Sequence, residues 1–188
     1  MNWIHRKICR SGWWRNYVEQ ELLPWVLADR IVGEDALEVG PGPGLTTAIL
    51  SKQSSKLTVL EIDQKLAESL RANERLNGVE VVEGDATLMP FVSDRFTTVF
   101  SFTMLHHIPS ARLQDKMLDE TFRVLRPNGC FIGSDSLWSP LFGLAHIGDT
   151  MVMVKPAEFK SRLANCGFTD IQVEKGRKAF RFSGRKPC

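Results

Sequence analysis

Apolar residues along this chain fall into short runs that alternate with segments of helical spacing. Five runs, at 36–39, 57–62, 79–82, 96–102 and 130–134, are apolar enough to predict strands that are buried on both faces. Between the runs, apolar positions recur every three or four residues, which predicts helices. This alternation favours an α/β fold with a mainly parallel sheet.

Two of the predicted helices are marked by their ends. Ser110 is placed to cap a helix whose apolar face continues to Leu125, and Arg126–Gly129 then predicts a turn into the fifth strand. Pro156 opens another helix, since proline is tolerated in the first helical turn, and Gly167 ends it. We therefore expect helices on either side of the fifth strand in the chain.

Both ends of the chain and one internal segment complete the prediction. Residues 1–32 hold four of the five tryptophans and predict a pair of short helices, with Pro24 kinking the segment or opening the second helix. Phe168–Glu174 and Ala179–Ser183 predict a final hairpin. Residues 137–155 are apolar but interrupted by Gly and Pro, so we interpret them as a pocket lid or as core packing under a long loop.

A glycine-rich turn, Leu-Glu-Val-Gly-Pro-Gly-Pro-Gly at 37–44, follows the first strand. Such a turn lets the backbone approach a bound nucleotide without a Cβ in the way. Gly40, Gly42 and Gly44 depart from the spacing of the dinucleotide fingerprint, and the prolines between them have no N–H to donate to a phosphate. With Glu38 just before the turn, a cationic adenosyl compound such as S-adenosylmethionine (AdoMet) fits better than a pyrophosphate.

Two further acids follow strand ends. Glu61 lies 21 residues after Gly40, a distance at which a carboxylate can accept both ribose hydroxyls of an adenosine bound across the strand ends. Asp85, in the sequence Gly-Asp-Ala, follows the third strand at the same edge of the sheet. Glu61 indicates adenosine but does not separate AdoMet from a nicotinamide cofactor, so an oxidoreductase remains a rival hypothesis.

Three stretches resemble motifs of the class I AdoMet-dependent methyltransferases: the glycine turn at 37–44, Gly84-Asp85-Ala86, and Val-Leu-Arg-Pro-Asn-Gly at 124–129. The resemblance implies a three-layer α/β sandwich around a mostly parallel seven-stranded sheet of order 3-2-1-4-5-7-6, with strand 7 antiparallel and N-terminal helices over the cofactor. It also implies that Asp85 accepts from the adenine amino group, and that a single domain over 1–188 transfers the AdoMet methyl group and releases S-adenosylhomocysteine.

Motif spacing and the resemblance together assign site residues. The residues expected to bind the cofactor are Tyr17, Glu38, Gly40, Gly42, Gly44, Glu61, Ile62, Asp85, Ala86 and Thr103. His106, His107 and Asp135 follow strands four and five on the acceptor side, and they are candidates for a base, which is needed only if the acceptor arrives protonated. Adjacent histidines seldom converge on one ion and no third ligand is evident nearby, so we predict no metal site.

Composition narrows the class of protein. A length of 188 residues with 43% hydrophobic and 24% charged residues is typical of one globular domain, with little room for a separate acceptor-binding domain. No apolar run approaches the roughly 20 residues that cross a bilayer, and the first residues lack the apolar core of a secretory signal, so we expect a cytoplasmic protein. Four scattered cysteines predict free thiols.

Positive charge is concentrated at both ends. Residues 1–18 carry four Lys or Arg and residues 175–188 carry six, with no acid in either segment, while the other 14 basic and 22 acidic residues give the middle a charge of −8. Such ends are either solvated or contact a membrane surface or RNA. An alternative to the enzyme is therefore a protein that binds the cofactor without turnover and docks on a membrane or RNA through its basic ends. The fourth strand is not followed by Asn-Pro-Pro-Tyr and no internal Pro-Cys nucleophile is present, so a small or lipid-like acceptor is favoured over nucleic acid.

Overall fold

The computed structural model describes residues 11–28, 30 and 32–188. The predictions on Trp3, Cys9 and the basic residues before position 11 lie outside these residues. The strands are β1 (Asp35–Val39), β2 (Lys56–Glu61), β3 (Glu80–Glu83), β4 (Phe96–Phe102), β5 (Leu125–Ser136), β6 (Thr169–Lys175) and β7 (Ala179–Arg185). The helices are α1 (Gly12–Tyr17), α2 (Leu23–Leu27), α3 (Thr47–Leu50), α4 (Gln64–Arg71), α5 (Ala111–Val124), α6 (Pro140–Ala145) and α7 (Pro156–Asn165).

All seven strands form one sheet in the order β3-β2-β1-β4-β5-β7-β6. β1 to β5 pair in parallel, whereas β7 runs antiparallel to both β5 and β6. The predicted fold class, strand order and antiparallel seventh strand are therefore confirmed. Because the first five strands are parallel, each needs a crossover connection; α3, α4 and α5 lie in three of these connections, whereas the connection from β3 to β4, all of it described, has no helix.

Two apolar cores lie on the two faces of the sheet. In β1, Leu37 and Val39 belong to one core and Ala36 to the other, as the period-two alternation of a strand requires. The first core includes Met117 from α5 together with residues of α7. The second core contains Val26 from α2 and residues of α3 and α4. Burial of these helix faces fixes the sheet between two layers and leaves its carboxyl edge for a ligand.

The N-terminal helices are joined by a turn of π-helix at Val18–Leu22. The Leu23 N–H donates to the carbonyl of Val18, five residues back. Pro24 lies at the start of α2, where its missing N–H is tolerated, so the prediction that it opens a second helix is confirmed. The wider turn places Val18 and Leu22 next to each other against the second core.

The predicted start of the fifth strand differs from the structure. Phe96 pairs with Leu125 and Thr98 with Cys130, so the predicted turn at Arg126–Gly129 is instead a bulge within β5. Asn128 lies in the left-handed region with φ +64°, and its N–H donates to the carbonyl of Lys186. The polar bulge is therefore paired with the chain beyond β7, a long-range contact that local pattern does not reveal.

The segment at 137–155 contains a short helix that its pattern did not predict. Ser139 caps α6 by accepting a hydrogen bond from the Phe142 N–H at 3.1 Å. After α6, the Val152 N–H donates to the carbonyl of His106, which attaches the segment to the chain after β4. Among the described residues, none of the helices combines the length and apolar character that crossing a bilayer requires.

We predict that Gly133→Ala destabilises the fold severely. A Cβ at this central position of β5 would lie 2.1 Å from the carbonyl oxygen of Ser101 and 2.6 Å from Phe182 Cζ, so neighbouring strands would have to separate. Overpacking of this kind costs about 3 kcal/mol or more. Gly12→Ala is the control, because a Cβ there meets no atom within 4 Å. Urea unfolding would contradict the packing argument if both variants were equally stable.

Candidate functional site

A cavity of about 430 Å³ lies at the carboxyl edge of the sheet. It borders the loop after β1 and the chain after β4, where the strand order reverses between adjacent parallel strands. Connections from these two strands leave in opposite directions and open a crevice, which is where open α/β sheets bind their ligands. The volume falls within the range of small-molecule sites.

The three glycines of the loop have different structural roles. Gly42 lies on the cavity wall with φ +53°, and a Cβ there would point into open space. Gly40 is also on the wall, but a Cβ there would lie 2.2 Å from Met104 Cγ. A Cβ at Gly44 would instead lie 2.6 Å from Leu70 Cδ2. Only Gly42 therefore leaves free space for a ligand, whereas Gly40 and Gly44 allow close packing beneath the loop.

Glu61, at the end of β2, holds the loop in place. Its Oε2 accepts from the Gly42 N–H at 3.1 Å and its Oε1 from the Asp63 N–H at 3.0 Å. Burial raises the pKa of this carboxyl group, and the backbone hydrogen bonds oppose the shift. Glu61 lies on the cavity wall, and carboxylate oxygens can each accept more than one hydrogen bond, so the group can also accept from a ligand.

The adenine-side candidates lie together along the same wall. Asp85 is exposed, and its Oδ1 accepts from the Thr87 N–H at 2.7 Å. Ala86 follows it on the wall, and Ile62 borders the cavity with 68% of its side chain exposed. Ile62 lies beyond the end of β2, contrary to the predicted strand, so its apolar side chain stands at the cavity rim instead of in the sheet.

Thr103 stands on the opposite wall in a strained conformation. It has φ +49°, which is unfavourable for a β-branched residue. Its N–H donates to the carbonyl of Ser134 at 2.8 Å, which fixes the chain as it leaves β4. Strain at a cavity wall is typical of functional sites, because surrounding structure must maintain it.

Glu38 lies behind the cavity wall instead of on it. Its side chain is buried and accepts from the hydroxyls of Thr46 and Thr47, the latter at 2.6 Å. Thr46 itself lines the cavity. Burial raises the pKa of Glu38 to about 7, although both hydroxyl hydrogen bonds oppose the shift. The carboxyl group therefore acts on the cavity through Thr46.

Tyr17 is also away from the wall. Its ring stacks on Trp13 and lies 4.6 Å below the ammonium group of Lys178. The N-terminal helices contribute Trp14, Val18 and Leu22 to the cavity instead. The N-terminal helices thus border the crevice, but through other residues than the predicted Tyr17.

The acceptor-side candidates form a layered cluster. His106 is buried, its Nδ1 lies 2.5 Å from Asp135 Oδ1, and its backbone N–H donates to Asp135 Oδ2. His107 lines the cavity in front of this pair, with ring centroids 4.2 Å apart. His146, at the end of α6, packs 5.2 Å from His106, and burial lowers its pKa. Sequence reasoning missed His146 because about forty residues separate it from the other two.

The carboxylates on the cavity wall give it negative charge. Four acids line the cavity, and none of its described lining residues is Lys or Arg; the acids are Glu61, Asp63, Asp85 and Asp149. Carboxylates on low-dielectric walls favour a cation and disfavour phosphate. The site therefore suits a positively charged ligand.

Several wall residues were not predicted. Pro41, Pro43, Asp63, Met104, Asp149 and Thr150 line the cavity in addition to the helix residues named above. The prolines lie inside the glycine turn, so proximity to the glycines was a signal for them, whereas the signal for Met104 was its position next to Thr103 after the fourth strand. Asp149 and Thr150 come from the segment at 137–155, whose irregular pattern did not single out individual residues; their position on the wall favours the interpretation of the segment as part of the pocket over the alternative of core packing.

Sequence comparison identifies related proteins. Residues 37–133 match the family described as methyltransferase domain. The chain is 30% identical over 156 residues to 2-methyl-6-phytyl-1,4-hydroquinone methyltransferase 1, chloroplastic, of Oryza sativa subsp. japonica, covering 79% of this chain and 46% of the relative. A shorter match, 42% over 57 residues, covers 30% of this chain and 21% of the probable ribosomal RNA small subunit methyltransferase A of Pyrococcus abyssi. The chain thus spans less than half the length of these relatives.

Structural comparison gives the same fold. The N-methyltransferase NodS from Bradyrhizobium japonicum, solved in complex with S-adenosyl-L-homocysteine, superposes with a TM-score of 0.72. The match covers 97% of this chain and 91% of NodS, with 16% sequence identity. At that identity the likeness concerns the fold and not the acceptor.

We predict that Glu38 makes the ligand-free protein less stable as pH rises. Its folded-state pKa is raised from 4.5 to about 7, so its contribution is fully present below 4.5 and is lost as pH rises through about 7. The loss is roughly 3 kcal/mol at most. The neutral variant Glu38→Gln should not show this loss, so its free energy of unfolding should rise relative to that of the parent between pH 4.5 and 8. Urea unfolding measures both free energies, and a difference between them that stays constant across this range would contradict the assignment.

Proposed function

The chain belongs to the class I AdoMet-dependent methyltransferases, and we propose that it transfers the methyl group of AdoMet to a small lipid-like acceptor in the cavity between β1 and β4. The observation that carries the proposal is the cavity wall, which has four acids and, among its described residues, no Lys or Arg. AdoMet brings a sulfonium and an ammonium group, both of which carboxylates stabilise.

The same wall argues against a nicotinamide cofactor. A pyrophosphate needs backbone N–H groups or cations, and two positions of the loop are prolines. The Gly42 N–H is already donated to Glu61. A dinucleotide at this edge would therefore place two phosphates among carboxylates with few donors to compensate them.

We propose that the adenosine lies between Gly42 and the ends of β2 and β3. Glu61 accepts the ribose hydroxyls with its remaining lone pairs, and Asp85 accepts the adenine amino group with the oxygen not used by Thr87. Ile62 offers an apolar contact to the base at the rim. Gly42 allows the backbone to approach the sugar, because no Cβ occupies that space.

The methionine part of AdoMet is then directed toward Gly40 and Thr103, which line the inner end of the cavity. Thr46 stands at the same end with the Glu38 carboxyl group behind it. Binding of an ammonium group there favours the ionised form of Glu38, so cofactor binding at pH 7 is coupled to loss of a proton from a group whose pKa is about 7.

The acceptor side of the cavity is apolar. Trp14, Val18, Phe102 and Leu113 line it, with contributions from the N-terminal helices, β4 and α5. Such a wall binds a hydrophobic molecule and excludes water from the methyl group. Methyl transfer then consists of in-line displacement, in which a bond forms from the acceptor to the methyl carbon while the carbon–sulfur pair returns to sulfur. The protein contributes mainly orientation.

Of the three candidates for a base, His107 is the one that lines the cavity. We assign it contact with the acceptor, including receipt of a proton from a hydroxyl acceptor in the absence of another activating group. His106 and Asp135 lie behind it and act as positioning residues, since both are buried and bonded to each other.

The names of the relatives support a lipid-like acceptor, with a nucleic-acid acceptor as the alternative. The longer match is to a methyltransferase of a phytyl hydroquinone, and the ribosomal RNA methyltransferase matches over 57 residues. The basic end of the chain adds little support for RNA, because part of its charge is used internally. Arg181 pairs with Glu174, Arg185 with Asp170 and Lys186 with Asp94.

We predict that AdoMet and S-adenosylhomocysteine raise the melting temperature and that NAD does not. Ligand at 100 times its Kd adds about 2.7 kcal/mol, which is a shift of roughly 5 to 11 °C for a chain of this size. Gly42→Val should abolish the shift, because its side chain would fill the space that the adenosine takes. Differential scanning fluorimetry measures both results.

Gly78→Val is the matched control for this variant. Gly78 also has positive φ and a Cβ that meets no atom within 4 Å, but it is not among the residues that line the cavity. Both variants therefore carry similar backbone strain, and the control should retain the AdoMet shift. A shift with NAD, or equal AdoMet shifts in both variants, would contradict the cofactor assignment.

We further predict that the methyl group goes to an organic-soluble acceptor. Radiolabelled AdoMet is incubated with a prenylated hydroquinone in detergent micelles, and separately with ribosomal RNA. The apolar wall predicts label in the solvent-extracted quinol with the parent and none with Gly42→Val. Incorporation into RNA alone would overturn the acceptor class while leaving the cofactor assignment in place.

A further inference from the structure

Three histidines converge at the acceptor side of the cavity. His106 and His107 form a short turn after β4, and His146 reaches them from the end of α6. One ring nitrogen from each lies within 4.8 Å of the other two. We propose that His106, His107 and His146 bind one divalent transition-metal ion of the Zn²⁺ class.

The buried environment of His106 fits a metal ligand. Its Nδ1 bonds to Asp135 Oδ1 at 2.5 Å, and Asp135 is further held by the backbone N–H groups of His106 and Ser136. The remaining nitrogen, Nε2, is buried and has no hydrogen-bond partner within the described residues. An unsatisfied buried nitrogen is costly, and a metal ion is one of the few groups that would satisfy it.

His146 is oriented in the same manner. Its Nδ1 lies 2.7 Å from the carbonyl oxygen of Phe142, an acceptor that requires the proton to be on Nδ1. In the neutral ring Nε2 then carries the lone pair. A carboxylate or carbonyl on one imidazole nitrogen and a metal on the other is the usual arrangement for ligating histidines. Both histidines thus have the outer partner that a metal site needs.

The third ligand makes the site an open one. His107 lines the cavity, whereas His106 and His146 are buried. Three protein nitrogens leave a tetrahedral ion one further position, as in catalytic zinc sites, and here that position faces the cavity. A bound ion would take over from His107 the activation of an acceptor hydroxyl, because it lowers the pKa of an oxygen that it coordinates.

Closing the site requires only small movements. Nitrogens around tetrahedral zinc stand about 3.4 Å apart, since each lies about 2.1 Å from the ion. The ring nitrogens of the three histidines now lie within 4.8 Å of one another, so the distances between them have to shorten by roughly 1.4 Å at most. The segment that carries His146 is already attached to the turn by the Val152 N–H, which donates to the His106 carbonyl at 2.8 Å. Closure would come from small rotations of the three side chains, with His106 and His146 keeping their outer hydrogen bonds to Asp135 and Phe142.

The test is titration of the chelator-treated full chain with Co²⁺ and Zn²⁺. Cobalt reports the ligand type, because thiolate ligands add a charge-transfer band that imidazole ligands lack. This separates the histidine site from binding to cysteines such as Cys188, which is exposed. We expect one ion per chain, visible bands of a tetrahedral nitrogen site and no thiolate band.

Variants locate the site. His146→Gln should weaken metal affinity at least tenfold, and Asp135→Asn should weaken it by about tenfold or more without removing a ligand. His107→Gln provides a second ligand variant on the cavity side, and Cys188→Ser should bind like the parent. The proposal is overturned if no ion binds, if a thiolate band appears and is lost in Cys188→Ser, or if both histidine variants bind as tightly as the parent.

Discussion

The functional edge of this protein depends on two carboxyl groups that hold one loop. Glu61 accepts the Gly42 N–H from the end of β2, and Glu38 accepts the hydroxyls of Thr46 and Thr47 from the end of β1. Because both acids are buried by the packing that forms the sheet, the fold raises their pKa values while the loop and helix partially compensate them. The conformation of the loop after β1 therefore depends on two carboxyl groups, Glu38 and Glu61, that lie close to the cavity.

This constraint links shape to ligand charge. A loop held by carboxylates cannot also collect the donors that phosphates require, and its prolines remove two more. The remaining wall residues continue the pattern, since Asp63, Asp85 and Asp149 add three acids to the cavity lining. Membership of the methyltransferase family and the sign of the cavity thus agree on a cationic adenosyl cofactor, and the apolar side favours a hydrophobic acceptor.

Local pattern predicted the sheet because β1, β2 and β4 are apolar runs buried along most of their length, while the edge strands β3 and β6, which are not fully buried, still have β-prone sequences bounded by turns. It failed where long-range contacts decide the structure: the bulge before Cys130 pairs with Lys186, and His146 joins the other histidines through the attachment of a segment with no periodicity. The motif residues Gly42, Glu61 and Asp85 reached the cavity as expected, whereas Glu38, Gly44 and Tyr17 do not line it. Glu38 is hydrogen-bonded to two threonines, Gly44 packs against Leu70, and Tyr17 stacks on Trp13. The spacing of the motifs does not reveal these contacts.

The most direct measurement is a crystal structure of the protein with S-adenosylhomocysteine bound. It should place both ribose hydroxyls on the Glu61 carboxylate, the adenine amino group on Asp85 and the sugar against Gly42. The account would be contradicted if the nucleoside occupied another surface, or if the ligand lay in the cavity with neither carboxylate in contact with it.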